Sequence, residues 1–262
     1  MQLTCLVSFI LLLPALVLPE VIPPQIAAHT PFVKCTDFFA KPGGNVTFPT
    51  IFNQNQYKQI CQKYNNMYEF ATLYNTDARI PVYSAYLYQG NVVCDRKNTW
   101  NIEPQVSLNM GIGHNYKLNT GVNGAGEHQA LNEDYINQKY DKGHLYPVFH
   151  TFQQCTADAT FTLTNAAPQD PSLNSGKWRT QVEKATKTFL DAHCFSGFAY
   201  VVTGVVPGTG KLNNRVIIPS FFWSKICGET CFRKYAEKHC ARLTLLAWNL
   251  HAAPIGQTLS QH

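Results

Sequence analysis

The sequence predicts an α+β chain dominated by sheet, and three observations predict it. Segments rich in Tyr, Val and Ile flank turn signals, one stretch switches to helical spacing, and no linker divides the chain into two domains. Residues 20–34 are Pro-rich and are expected to be extended. "CTDFFAKPGGNVTFP" reads as an irregular region tied down by Cys35, and "FATLYNTDARIPVYSAYLYQ" as two paired strands. Residues 110–130 are rich in Gly and Asn and lack apolar period, which predicts a long surface loop. "ATFTLTNAAPQ" carries a β-branched run and is expected to be a buried strand ending near Asn165. In "LNSGKWRTQVEKATKTFLDAHC" the residues Trp178, Val182, Ala185 and Phe189 recur at intervals of four, three and four, so they should share one helix face. "GFAYVVTGVVPG", "RVIIPSFFW" and "RLTLLAWNL" read as further strands.

Of the 262 residues 45% are apolar and only 14% charged, which excludes a disordered chain and allows a sizeable core. The net charge of +5 is compatible with an anionic partner and does not by itself specify nucleic acid. The first nineteen residues lack Lys, Arg, Asp and Glu, and their apolar run is broken by Pro14 before a Pro-rich stretch. They read as a secretory signal peptide over residues 1–20, followed by one domain over residues 21–262 in an extracellular protein, with an uncleaved anchor as the alternative. No downstream segment is apolar enough to cross a membrane, so none is expected to contact one after signal cleavage. Outside that leader stand Cys35, Cys61, Cys94, Cys155, Cys194, Cys227, Cys231 and Cys240. An even set in an exported chain reads as disulfides of open connectivity, against a zinc site in "CGETC" with His239 and Cys240. Asn45-Val46-Thr47 is a glycosylation sequon.

The chemistry gathers around "QKYDKGHLYPV", residues 138–148. Asp141, Lys142, Gly143 and His144 are followed by Thr164-Asn165, then Pro168-Gln169, then Asn174 and a helix bearing Trp178 and Glu183. That ordered series resembles the DNA/RNA non-specific endonucleases of the ββα-metal superfamily. "FATLYNTDARIPVYSAY" with "FTLTNAAP" is most similar to their endonuclease domain-containing 1 branch, which is secreted. The resemblance implies a ββα-metal (His-Me finger) fold, with a central antiparallel sheet flanked by helices. Its expected substrate is DNA, RNA or both.

Phosphodiester hydrolysis needs a base for water, positive charge on the phosphoryl oxygens and help for the departing oxygen. A histidine suits the first task because its pKa lies near neutrality, and a hydrated Mg²⁺ suits the others. The resemblance accordingly makes His144 the general base and Asn174 the single direct protein ligand of Mg²⁺, for which Mn²⁺ could substitute. It puts Asn165 and Glu183 in the ion's outer surroundings and an upstream arginine on the phosphate, Arg96 or alternatively Arg79. Asp141 would orient structure, Gly143 would permit a tight backbone path, and Trp178 would be core. Each has a duller reading: a packed histidine, an N-capping Asn174, a turn-closing Asn165, solvated arginines.

Two departures from the family pattern stand out. Lys142 replaces an arginine and loses its planar fork. Glu183 follows Trp178 by five residues where the family has four, and one residue turns a helical side chain by about 100°. The rival function is therefore a degenerate nuclease fold that serves as a secreted nucleic-acid-binding, defence or interaction protein.

Overall fold

The computed structural model describes residues 20–21, 31–90, 93–97, 99–107, 124–194, 199–228, 242–249 and 255–260. The expected signal segment up to residue 19, most of the expected loop over residues 110–130, and Cys231 and Cys240 lie outside these residues.

Eight strands form one sheet in the order β1-β2-β3-β4-β7-β8-β9-β10, with every pairing antiparallel. They are β1 (Glu20–Val21), β2 (Tyr57–Tyr64), β3 (Met67–Asn75), β4 (Ile80–Tyr88), β7 (Ala199–Leu212), β8 (Val216–Gly228), β9 (Arg242–Trp248) and β10 (Ile255–Ser260). A separate two-stranded ladder joins β5 (Asp141–His144) to β6 (Ala166–Gln169). Among the described residues three short α-helices accompany them: α1 (Pro104–Ser107), α2 (Gln154–Thr160) and α3 (Lys184–His193). Sheet flanked by helices is the expected α+β architecture.

The paired strands read from "FATLYNTDARIPVYSAYLYQ" are β3 and β4. Their turn is built by Asn75, whose Oδ1 accepts the N–H groups of Asp77 and Ala78. Strand β4 then sorts its side chains by alternation. Tyr83 and Ala85 pack with Phe32, Phe39, Cys35 and Cys61 in one core cluster. Ser84, Tyr86 and Tyr88 meet instead the chain that runs between β4 and β7. Because β4 and β7 are neighbours in the sheet, the chain between them is one excursion, whose described residues Asn165, His150 and Asp191 meet that second face. The candidate site is built from this excursion.

Several local expectations are corrected. The β-branched run is buried, but it is not a strand ending at Asn165: Leu163–Asn165 is a 3-10 turn and β6 begins only at Ala166. The hydroxyls of Thr162 and Thr164 both donate to the buried Glu103 carboxylate, a tertiary demand that overrides β propensity. In the helix, Trp178 and Val182 are buried as expected, yet the next buried positions are Thr186 and Leu190 rather than Ala185 and Phe189. After a kink at Gly176 the segment up to Glu183 is wound as a π-helix, and its wider turns carry the apolar stripe one residue further. Trp178 is core, 1% exposed against Phe222.

Cys35 pairs with Cys61, and Cys194 and Cys227 are each disulfide-bonded, so Cys227 is not a zinc ligand. Cys94 and Cys155 correct the expectation of full pairing, for both are free thiols. Asn45 is exposed, as a glycosylation acceptor must be. No helix among the described residues is long and apolar enough to cross a membrane.

Candidate active site

The β5–β6 ladder aligns Asp141 with Gln169, Lys142 with Pro168, Gly143 with Ala167 and His144 with Ala166. Alternation along β5 sends Lys142 and His144 to one side and Asp141 to the other. Lys142 lies over the rings of Trp100 and Tyr135, at 5.7 and 5.2 Å, and burial lowers its pKa. Trp100 is thus shared, because His144 packs against its other neighbours at ring distances of 4.6 Å to Trp100 and 4.9 Å to Phe161.

His144 is 9% exposed, and its Nε2 is buried with no hydrogen-bond partner among the described residues. An unpaired buried nitrogen costs about 1–3 kcal/mol, so its persistence asks for a reason. Burial, and then the nearby Arg96 charge, hold the imidazole down at about 3. The ring is therefore neutral at ordinary pH and can accept a proton.

Arg96 is held by its neighbours in sequence. Asp95 exchanges two hydrogen bonds with the Gln154 amide, and Lys97 ion-pairs with Asp158 on α2. Between these anchors the exposed Arg96 guanidinium lies 5.6 Å over the Phe161 ring and makes no hydrogen bond among the described residues. Its charge acts on His144 and also on Glu183, whose carboxyl burial pushes up to about 7 while Arg179 and Arg96 pull it down. Arg96 and His144 thus meet on the Phe161 ring, and Glu183 lies within the reach of the Arg96 charge.

The way Glu183 reaches them resolves its odd spacing. Beyond a kink at the non-helical Gly176 the helix is π-wound up to Glu183, and the Lys184 N–H donates to the Arg179 carbonyl five residues back. In such a turn the residue five ahead occupies roughly the place that the fourth has in an α-helix. The extra residue after Trp178 is absorbed instead of rotating Glu183 away.

Asn174 sits in the first turn of that segment. Its N–H donates to the Asp170 carbonyl at 2.8 Å; the helix starts at Pro171, and Asp170 before it accepts the Ser172 N–H on Oδ1, so Asn174 is not the N-cap. Its Nδ2 donates to Asp141 Oδ2 at 3.0 Å, while its Oδ1 has no hydrogen bond among the described residues. A carboxylate that takes the amide nitrogen fixes which end of the side chain is left as a donor atom. That free oxygen fits a hard, oxygen-seeking cation that keeps most of its water. Among the described residues no group of three His, Cys, Asp or Glu could hold a metal, so any ion here would rely on few protein ligands.

Two other expectations are corrected, and the tight path expected at Gly143 is given its cause. Asn165 is fully buried; its Oδ1 accepts from Tyr146 N–H and Ser84 Oγ, and its Nδ2 donates to the carbonyls of Tyr146 and Thr160. That amide is fully used in clamping the turn after His144, and nothing remains for a metal's water shell. Arg79 spends its guanidinium on the carbonyls of Gly126, Arg215 and Glu127 and is a structural residue. Gly143 is needed for space rather than for backbone freedom: a Cβ there would stand 2.3 Å from Gln169 Oε1, and its φ is not positive. Sequence reasoning missed Trp100 and Phe161, which wall the histidine, and Glu103, which props the Phe161 segment from below. No spacing rule links them to the motif.

Comparison with known proteins shows the family. The family model for DNA/RNA non-specific endonuclease matches residues 49–252. The human Endonuclease domain-containing 1 protein is 34% identical over 202 residues, 75% of this chain and 39% of that one, and the mouse protein is 33% identical over the same shares. This chain thus spans about two fifths of the length of those relatives. Human mitochondrial Endonuclease G is 37% identical over 113 residues, 39% of this chain and 38% of its own. A solved EndoG structure, in complex with EndoGI, superimposes with a TM-score of 0.56 at 18% identity, covering 91% of this chain and 87% of that one. The likeness is one of fold at that identity; the matched family carries the rest, and the chain belongs to the DNA/RNA non-specific endonucleases.

Proposed function

We propose that the protein is a secreted, Mg²⁺-dependent endonuclease that hydrolyses phosphodiester bonds in DNA, RNA or both with little sequence preference. The observation that carries the proposal is the Nε2 of His144, unpartnered among the described residues, beside the Phe161 ring that Arg96 covers, on a strand whose first residue, Asp141, holds the Asn174 amide.

His144 Nε2 takes a proton from water as the water oxygen attacks phosphorus, and the bond from phosphorus to the leaving oxygen breaks. Arg96 neutralises charge on the phosphoryl oxygens, and its unspent N–H groups supply the contacts. As a phosphate anion meets Arg96, the charge that opposes protonation of His144 is cancelled, so substrate arrival makes the imidazole a stronger base. Asn174 Oδ1, steered by Asp141, is the ligand for the metal. When bound, Mg²⁺ supplies charge neutralisation and an acidified water for the departing oxygen. Contacts to phosphate rather than to base edges give low sequence preference and an affinity that falls with salt.

Secretion is supported by the charge-free apolar leader, the Cys35–Cys61 disulfide and the exposed Asn45 sequon. The rival reading, a nuclease fold that binds without cutting, draws on one observation: the enclosure of His144 between Trp100 and Phe161. Relaxation of supercoiled plasmid by purified protein separates the two. Nicking in Mg²⁺ that stops with EDTA is expected; intact plasmid with every divalent metal tried favours the binding protein.

A further inference from the structure

Outside the motif stands a second buried histidine. His150 is 3% exposed and both of its ring nitrogens are engaged: Nε2 with the Glu183 carbonyl at 2.8 Å, Nδ1 with the Tyr86 phenol at 2.7 Å. A carbonyl only accepts, so Nε2 carries the hydrogen, and Nδ1 must then accept from the Tyr86 O–H. The tautomer is fixed, and the ring acts as a rigid neutral spacer. Tyr86 in turn stacks on Tyr146 with ring centroids 3.8 Å apart and planes 8° apart, and Tyr146 lies two residues beyond His144 on a backbone clamped by Asn165.

We propose that His150 is a positioning residue that fixes the register of Glu183 relative to His144. A continuous path of contacts, Tyr146 to Tyr86 to His150 to the Glu183 backbone, joins the strand that carries the base to the helix residue Glu183. Such a brace is needed where it stands. The helix makes room for one extra residue by π-winding, an arrangement rarely stable for more than a turn. A donor fixed from outside the helix selects which backbone carbonyl comes to rest against the sheet face, and so where the Glu183 carboxyl points.

The inference rests on the nuclease reading and deepens it. Its test compares His150→Gln with His150→Asn, each with Glu183 intact and in the Glu183→Gln background, by plasmid-relaxation kinetics in Mg²⁺. The glutamine amide reaches the place of the ring Nε2 and keeps the donor; asparagine reaches only the place of Nδ1. His150→Asn is expected to lower kcat by about 10-fold or more with KM for DNA little changed, as for other groups that orient a catalytic shell. His150→Gln should stay within about threefold of wild type, and the loss in His150→Asn should vanish in the Glu183→Gln background, because residues acting as a unit are not additive. An equal loss in both backgrounds, or glutamine as damaging as asparagine, overturns the proposal. Where Glu183→Gln leaves no rate to compare, the glutamine–asparagine contrast decides. If His150→Asn does not fold, His150→Leu, which keeps bulk and removes the donor, replaces it, and a wild-type rate in that variant overturns the proposal equally. A wild-type protein that cuts nothing overturns the nuclease reading and this inference together; an active protein with additive losses overturns this inference alone.

Discussion

Gln169 lies so close over Gly143 that a methyl group on the glycine would fall 2.3 Å from Gln169 Oε1 and 2.6 Å from its Cβ. Both residues belong to the short β5–β6 ladder that carries the candidate base, and Gln169 is fully buried. Gly143→Ala must therefore push the ladder apart, and overpacking of this kind costs about 1–3 kcal/mol. A denaturant melt should show that loss together with reduced cleavage. A variant as stable as wild type would mean that Gln169 moves aside freely.

Asp141 holds the Asn174 amide from the opposite end of the same strand. Asp141→Ala frees the carboxamide to rotate, which should raise the Mg²⁺ concentration for half-maximal cleavage by about 10-fold and leave the melt nearly unchanged. Asn174→Ala should raise it further. Unchanged Mg²⁺ dependence in Asn174→Ala would remove that residue from the coordination sphere.

Four titrating groups, three of them buried and Glu183 half-buried, set opposing pH slopes. His144 and His150 are held at about 3 and about 4 against an ordinary 6.5, so the unfolded chain takes up their protons first and stability falls as pH drops below 6.5. Glu103 and Glu183 are pushed up to about 7 from 4.5, so the folded chain holds their protons and stability falls as pH rises from 4.5 towards 7. Between 4.5 and 6.5 the two effects oppose and the melting temperature should be nearly flat. Below 4.5 the glutamates are protonated in both states, only the histidines differ, and the melt should drop steeply. Glu183→Gln should accordingly gain stability relative to wild type more at pH 8 than at pH 5. A melting temperature that climbs on acidification below pH 4.5 would contradict the burial of the two histidines.

Cys94 and Cys155 are free and partly exposed. Maleimide treatment of the folded protein should therefore label both, with peptide mapping to the segments next to Asp95 and Gln154. Absence of label at both would show that they are paired in solution.

Strands and motif were legible because they rest on local signals. Alternation marks β3 and β4, and the ordered run from Asp141 to Glu183 marks the family. What stayed hidden depends on contacts across the fold. The roles of Asn165 and Arg79 are decided by which carbonyls happen to face them, a matter of tertiary packing with no trace in spacing. The π-winding that recovers Glu183 also escapes a periodicity read at 3.6 residues per turn, and the same mismatch exchanged Ala185 and Phe189 for Thr186 and Leu190 on the buried face. Trp100 and Phe161 come to the histidine from separate segments, neither near it in sequence.

The most direct measurement is the rate of plasmid nicking by His144→Ala at saturating Mg²⁺, taken beside a thermal melt of the same protein. Loss of a general base should slow cleavage by about 10²–10⁴-fold while the protein remains folded. Cleavage at the wild-type rate by a folded His144→Ala protein would contradict the assignment of that imidazole as the base.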